Sequence, residues 1–171
     1  MLTRKPIQIS FLVNKDGSMA GKNHISDLDS HLGYWLRIVS NAVSQEFARK
    51  LEREGVTVAE WVFLRVLYGA SPVAPSKLAA RMGMTKGAIS KLADRLTAKA
   101  LVERGADPED RRGQTLSLAA AARPVVERLA KLADANDIQF FGALNGEERA
   151  EMERLLRKIV AERSLRNVAT E

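Results

Sequence analysis

Chemistry in this chain has to be built without sulfur nucleophiles and almost without imidazole. There are no cysteines and only two histidines, His24 and His31. Disulfides, thiolate zinc sites and thiol redox sensing are therefore excluded, and the histidines are too isolated for a His-rich metal site. No Ser/His/Asp set, phosphate-binding glycine loop or metal motif can be assembled from what remains, so the expectation is a non-enzyme that needs no cofactor. What the sequence does concentrate is positive charge. Residues 75–100 hold Lys77, Arg81, Lys86, Lys91, Arg95 and Lys99 against the single acid Asp94, which is most of a formal net charge of +6. A second dense group follows in "DPEDRRG", Asp107 to Gly113. Cations so placed suit a polyanion.

The two groups differ in local structure. In the first, Thr85 can cap a helix in which Ile89, Leu92 and Leu96 fall on one side. Thr85, Lys86, Gly87, Ser90, Lys91 and Asp94 then face outward, with Arg95 at the edge. Serine and lysine reach both phosphates and base edges, and Gly87 allows close approach to a groove wall. A charge run usually means only a solvated helix face. That reading fits a mixed-sign face better than one this basic. The second group lies between two half-apolar runs, Leu101–Arg104 and Gln114–Leu118, and reads as a β-hairpin tip. Arginines at such a tip can enter a narrow minor groove, where negative potential is concentrated. The tip's own acids can also pair with them, leaving one arginine held by Asp110 and the other free.

The elements that must position these groups are mostly helical. The chain has 171 residues, 46% hydrophobic, 28% charged and 5% aromatic, which suits one folded domain with extensions. Residues 1–25 stand apart as an N-terminal arm. Ile7, Ile9, Phe11 and Val13 alternate with Gln8, Ser10 and Leu12, allowing a short strand, before the turn-rich "NKDGS". The arm is either disordered or packed on a partner subunit, and Met19 is an alternative start. Arg4 and Lys5 precede only seven apolar-rich residues and no cleavage pattern follows, so a cytoplasmic, bacterial-type protein is expected, with no membrane span.

From Ser26, a candidate N-cap, Leu28, Leu32, Trp35, Leu36, Val39, Val43, Phe47 and Leu51 recur at helical spacing up to Gly55. Thr57-x-x-Glu60 is a capping box opening a helix with Trp61, Leu64, Leu67 and Tyr68, broken at Gly69 and Ser71-Pro72. Pro75 starts another, with Leu78, Ala79 and Met82 buried and Gly83 as its stop. Two short helices joined by a glycine turn make a helix-turn-helix. Beyond the hairpin, Val125, Val126, Leu129 and Leu132 mark a helix running to Phe140-Phe141 and interrupted at Gly142. Asn145-x-x-Glu148 caps a last one carrying Met152, Leu155, Leu156, Ile159 and Val160. Phe140-Phe141 and the stripes of the first and last helices are hard to hide in a small monomer.

A helix-turn-helix followed by a hairpin is the order of a winged helix, and the residues from about 28 to 160 resemble the MarR family of transcription regulators. "LGYWLR" in the first helix, "LAARMGMTKGAISKLADRL" across the motif and "LVERGADPEDRRGQTLSL" through the wing carry the likeness. The Asp-Pro-x-Asp-Arg-Arg of the wing is the most specific part, and "TLSLAAAAR", which lacks a threonine common in the family, departs from it. The resemblance implies a mainly α fold with a small β-wing. Residues 57–118 would be the winged helix-turn-helix domain, and 26–56 with 119–163 the dimerisation region. It implies a homodimer on a pseudo-palindromic double-stranded operator, with half-sites about 34 Å apart. Ser90 and Lys91 would face the major groove, Asp110 would orient the wing, and Arg111 or Arg112 would reach DNA. It further implies a repressor released by a small aromatic or phenolic effector. His31, Trp35, Trp61 and Arg65 could stack on a ring and grip a carboxylate, although tryptophans at helical spacing more often belong to a core. The rival expectation is a non-enzymatic interaction module whose basic helix docks on an acidic protein or an anionic membrane.

Overall fold

A computed structural model of the chain describes residues 25–70, 72–107 and 113–165. Among the described residues there are six α-helices and a two-stranded antiparallel sheet. The helices are α1 (Leu32–Arg53), α2 (Val58–Tyr68), α3 (Pro75–Met82), α4 (Lys86–Ala98), α5 (Arg123–Phe141) and α6 (Gly146–Glu162). The strands β1 (Val102–Ala106) and β2 (Gln114–Leu118) lie between α4 and α5, so this is the expected mainly α fold with a β-wing. No described helix is long and apolar enough to cross a membrane.

Helix boundaries follow the local chemistry. Thr57 and Asn145 each form a complete capping box, with Glu60 and Glu148 respectively. Thr85 Oγ1 accepts the Ala88 N–H at 3.2 Å and so opens α4. Pro75 sits in the first turn of α3, and Gly83 ends that helix at φ +66°, a left-handed conformation in which a Cβ is penalised.

The first helix corrects the reading. It begins at Leu32, and Ser26 does not cap it; Leu28–Ser30 form a 3-10 turn, and His31 is extended. Short polar side chains compete with the helix here by bonding nearby backbone. Ser30 Oγ donates to the Asp27 carbonyl at 2.6 Å, and Trp35 Nε1 donates to the Asp29 carbonyl at 2.7 Å.

The core is built inside the winged domain. Phe63, Leu64 and Leu67 of α2 pack with Leu78 and Met82 of α3, Ile89, Leu92 and Leu96 of α4, and Val102 and Leu116 of the wing. Val126 and Leu129 of α5 close this cluster, and Leu51 at the end of α1 completes it. Burying each such side chain contributes about 1.5–3 kcal/mol, so the reading helix is fixed by its three inward residues. The β1–β2 register runs from Val102 opposite Leu118 to Ala106 opposite Gln114. Val73, just before α3, adds a third short line of pairing by exchanging both backbone hydrogen bonds with Leu116 at 2.9 Å.

Outside that core many apolar residues stay exposed. Leu32, Trp35, Leu36, Ile38 and Val39 on α1, and Leu155, Leu156, Ile159 and Val160 on α6, are all at least 38% exposed. No residue of α6 is buried. Phe140 and Phe141 differ from expectation, because both are already half-buried within the single chain. The break after α5 folds α6 back, and Phe141 shares a groove there with Leu144, Met152 and Leu156.

Candidate nucleic-acid interface

Helix α4 presents one solvent face. Thr85, Lys86, Gly87, Ser90, Lys91, Asp94 and Arg95 are all exposed, while Ile89, Leu92 and Leu96 are at most 3% exposed. Lys86, Lys91 and Arg95 form no ion pair among the described residues, and neither do Lys77 and Arg81 on α3. Cations left unpaired on one face keep their full attraction for phosphates.

Two residues of the basic count behave differently from their neighbours. Lys99, just past α4, turns away from the face and binds both carboxylate oxygens of Glu60, at 2.9 and 2.8 Å. Its ammonium is therefore tied to α2, although the side chain is still 38% exposed. Asp94, the one acid of the segment, is held by Arg104 of β1, with Nη2 2.6 Å from Oδ1. Arg104 also donates through Nη1 to Gln114 Oε1 at 3.1 Å, so one guanidinium joins α4 to both wing strands. Along the chain Lys99 counts as surface charge and nothing marks Arg104, because neither lies within helical spacing of its partner.

Glu60 is 1% exposed. Burial alone would raise its pKa. The Lys99 hydrogen bond, the Thr57 backbone N–H and the Lys99 charge together outweigh burial and hold it below the ordinary glutamate value. The carboxylate is thus kept ionised and fully bonded inside the domain.

At the wing, the Asp107 N–H donates to the Gly113 carbonyl at 3.1 Å and closes the base of the loop. Asp110, Arg111 and Arg112 lie outside the described residues, as do positions 1–24 of the proposed arm. Lys77 and Arg81 flank a groove between α3 and the wing root, alongside Ala106, Asp107 and Thr115. In the sequence these two side chains are marked only by the net charge of residues 75–100.

The four effector candidates are not gathered by the single chain. Trp35 lines a groove of about 700 Å³ between α1 and α6 with Leu36, Val39, Met152 and Leu155. Trp61 lines a separate crevice of about 630 Å³ between α1, α2 and α5 with Phe47, Val58, Val62 and Asn136. His31 and Arg65 line neither. His31 Nδ1 lies 3.1 Å from the Asp27 carbonyl, and the Arg65 guanidinium lies 5.6 Å from the Tyr68 ring centre. The reason is length. Trp35 stands near the start of α1 and Phe47, the edge-to-face partner of Trp61, twelve residues on, about 18 Å along the axis.

A helix-turn-helix carrying unpaired cations, backed by a two-stranded wing, is a winged helix-turn-helix domain. The known proteins that share it narrow the class. A profile of the MarR family matches residues 54–113. A Thauera aromatica protein, described as a candidate transcriptional regulatory protein for the hcr operon, is 31% identical over 147 residues, covering 84% of this chain and 81% of its own. A Mycobacterium tuberculosis HTH-type transcriptional repressor is 27% identical over 131 residues, 77% of this chain and 94% of its own. Among solved structures, a mutant of MarR from E. coli complexed with operator DNA superposes with a TM-score of 0.68 at 26% identity, over 79% of this chain and 99% of that one. The chain belongs to the MarR family. Its relatives are transcriptional regulators, and it is a regulator of that kind.

Proposed function

We propose that the protein binds double-stranded DNA in a sequence-specific manner as a homodimer and represses transcription from a pseudo-palindromic operator. The observation that carries this reading is the outward face of α4, where Lys86, Lys91 and Arg95 are exposed and have no ionic partner among the described residues. With Ser90 and Thr85 they offer donors to base edges and phosphates in the major groove, while α3 crosses the backbone with Lys77 and Arg81. Arg111 or Arg112 of the wing would supply the minor-groove contact, with Asp110 orienting the loop. The operator complex of the E. coli relative supports the DNA partner, and the repressor name of the mycobacterial relative supports the direction of control.

Residues 26–56 and 119–163 form the dimerisation layer in this reading, because their apolar stripes need a second copy to cover them. The protein acts in the cytoplasm, on the nucleoid. A small aromatic or phenolic effector enters the crevice at Trp61, where Phe47 and Val62 provide an apolar wall and Asn136 a polar one.

Selection of bound sites from random DNA, followed by a salt series on the winning site, tests the proposal. The expected outcome is an inverted repeat, bound with a steep negative dependence on log salt. Binding without sequence preference would favour docking on acidic proteins or anionic surfaces instead.

A further inference from the structure

Three helices end at the same ammonium group. Helix α1 closes with Gly55 at φ +70°, where the Gly55 N–H bonds the Glu52 carbonyl and the Val56 N–H bonds the Leu51 carbonyl. This leaves the Gly55 carbonyl free to point inward, and it accepts Lys99 Nζ at 2.8 Å. Helix α2 opens with the capping box of Thr57 and Glu60, in which Glu60 Oε2 also accepts the Thr57 N–H at 2.8 Å. Lys99 itself is the residue directly after α4, with its backbone N–H still bonded to the Arg95 carbonyl.

A lysine has three N–H donors and no more. Here the ammonium donates to Gly55 O at 2.8 Å and to the Glu60 carboxylate, whose Oε1 and Oε2 lie 2.9 and 2.8 Å away. The ammonium is committed to this joint, although Lys99 stands in the most basic segment of the chain. The carboxylate it meets is 1% exposed while the Lys99 side chain is 38% exposed, so the lysine reaches in from the surface to a buried acid. The α1 side of the joint is itself fastened, because Glu54 accepts Arg128 Nε of α5 at 2.8 Å. The joint therefore runs from the α1–α5 layer directly to the end of the reading helix.

We infer that Lys99 and Glu60 are positioning residues for DNA reading: their ion pair, closed on Gly55, sets the angle of α4 against α1 and so the separation of the two reading helices. This inference rests on the proposed operator-binding homodimer. In such a dimer α1 is shared across the two-fold axis, and a small tilt of α4 at its C-terminal end changes the distance between the paired helices. A dimer held to one spacing then discriminates against operators with half-sites moved by one base pair.

The test compares wild type, Lys99→Met and Glu60→Gln on the selected operator, on the same half-sites moved apart by one base pair, and on random DNA. Methionine keeps most of the lysine stem, and glutamine keeps the shape of Glu60. In variants shown to be folded by thermal melting and dimeric by sedimentation, each substitution should weaken operator binding about tenfold. The preference for native over shifted spacing should narrow, random DNA should bind within about twofold of wild type, and the salt slope should stay unchanged. The double variant should be no worse than the more severe single one.

Operator affinity and spacing preference equal to wild type in folded dimers would overturn the inference. So would a Lys99→Met salt slope reduced by about one beside a harmless Glu60→Gln, since that is the signature of a phosphate contact. Should Lys99→Met not fold, Glu60→Gln decides the matter alone. A wild type that is monomeric or binds no preferred site would instead refute the proposed function.

Discussion

Arg104 of the first wing strand reaches the outer face of the reading helix and places Nη2 2.6 Å from Oδ1 of Asp94. The only acid on the cationic helix-turn-helix is thereby neutralised, and the wing is tied to the helix it must accompany into DNA. The Asp94 side chain is 68% exposed, so water screens the pair and its worth to stability is at most about 1 kcal/mol. Its value is positional. Asp94→Ala is expected to change unfolding free energy by less than about 1 kcal/mol. It should also tighten binding to random DNA while narrowing the gap between operator and random sequences. Paired titrations on the two DNAs, with a denaturant midpoint as control, check this.

Ala100 joins α4 to β1 at φ +55°, a left-handed conformation in which Gly55 and Gly83 serve at two other helix ends. An L-residue there costs about 1–2 kcal/mol, and glycine gives back about 0.5–1 through the entropy of the unfolded chain. Ala100→Gly should therefore stabilise the protein by about 0.5–1 kcal/mol, raising the melting temperature by about 1–4 °C in calorimetry. A lower melting temperature would mean that the alanine methyl makes a compensating contact.

Acid should act through Glu60. Its folded pKa lies below the ordinary value of about 4.3, so the ionised carboxylate adds stability that is complete above that pH. On acidification the unfolded chain takes up the proton first. The contribution is lost progressively as pH falls from about 4.3 through the depressed folded value. Stability of wild type minus that of Glu60→Gln, followed by denaturant titration between neutral pH and pH 3, should shrink below pH 4.3. A constant difference would exclude this linkage.

The exposed stripes of α1 and α6 predict a specific failure. Leu36 and Leu155 line one apolar groove and are 45% and 44% exposed in the single chain. Leu36→Glu with Leu155→Glu should convert a dimer into a monomer at micromolar concentration. Neither carboxylate disturbs the buried core, so the helical circular dichroism should persist. Sedimentation equilibrium reads the result directly; a dimer that survives both charges would place the interface elsewhere.

Much of the frame could be read along the chain because its causes are local. The caps at Thr57, Thr85 and Asn145 involve a side chain and a backbone group three residues away. Ile89, Leu92 and Leu96 fall inward because a helix repeats every 3.6 residues, and Gly83 ends α3 because its φ of +66° suits glycine. The start of α1 was misplaced by the same kind of local force. Ser26 offers a cap, but the bonds of Ser30 and Trp35 to the backbone of Asp27 and Asp29 hold a 3-10 turn instead.

The sequence by itself determined the order of elements, the basic reading helix, the wing and the MarR likeness, all written in periodicity, turn chemistry and contiguous motifs. Only the tertiary structure decided which charges remain available. Lys99 meets Glu60 across thirty-nine residues of chain, and Arg104 meets Asp94 from a strand on the other side of the turn. It also separated Trp35 from Trp61, which the family likeness had grouped as effector candidates. The reason is physical: a cation's partner is chosen by which helix ends and strands the buried core brings within about 3 Å of it, and spacing along the chain carries no record of that.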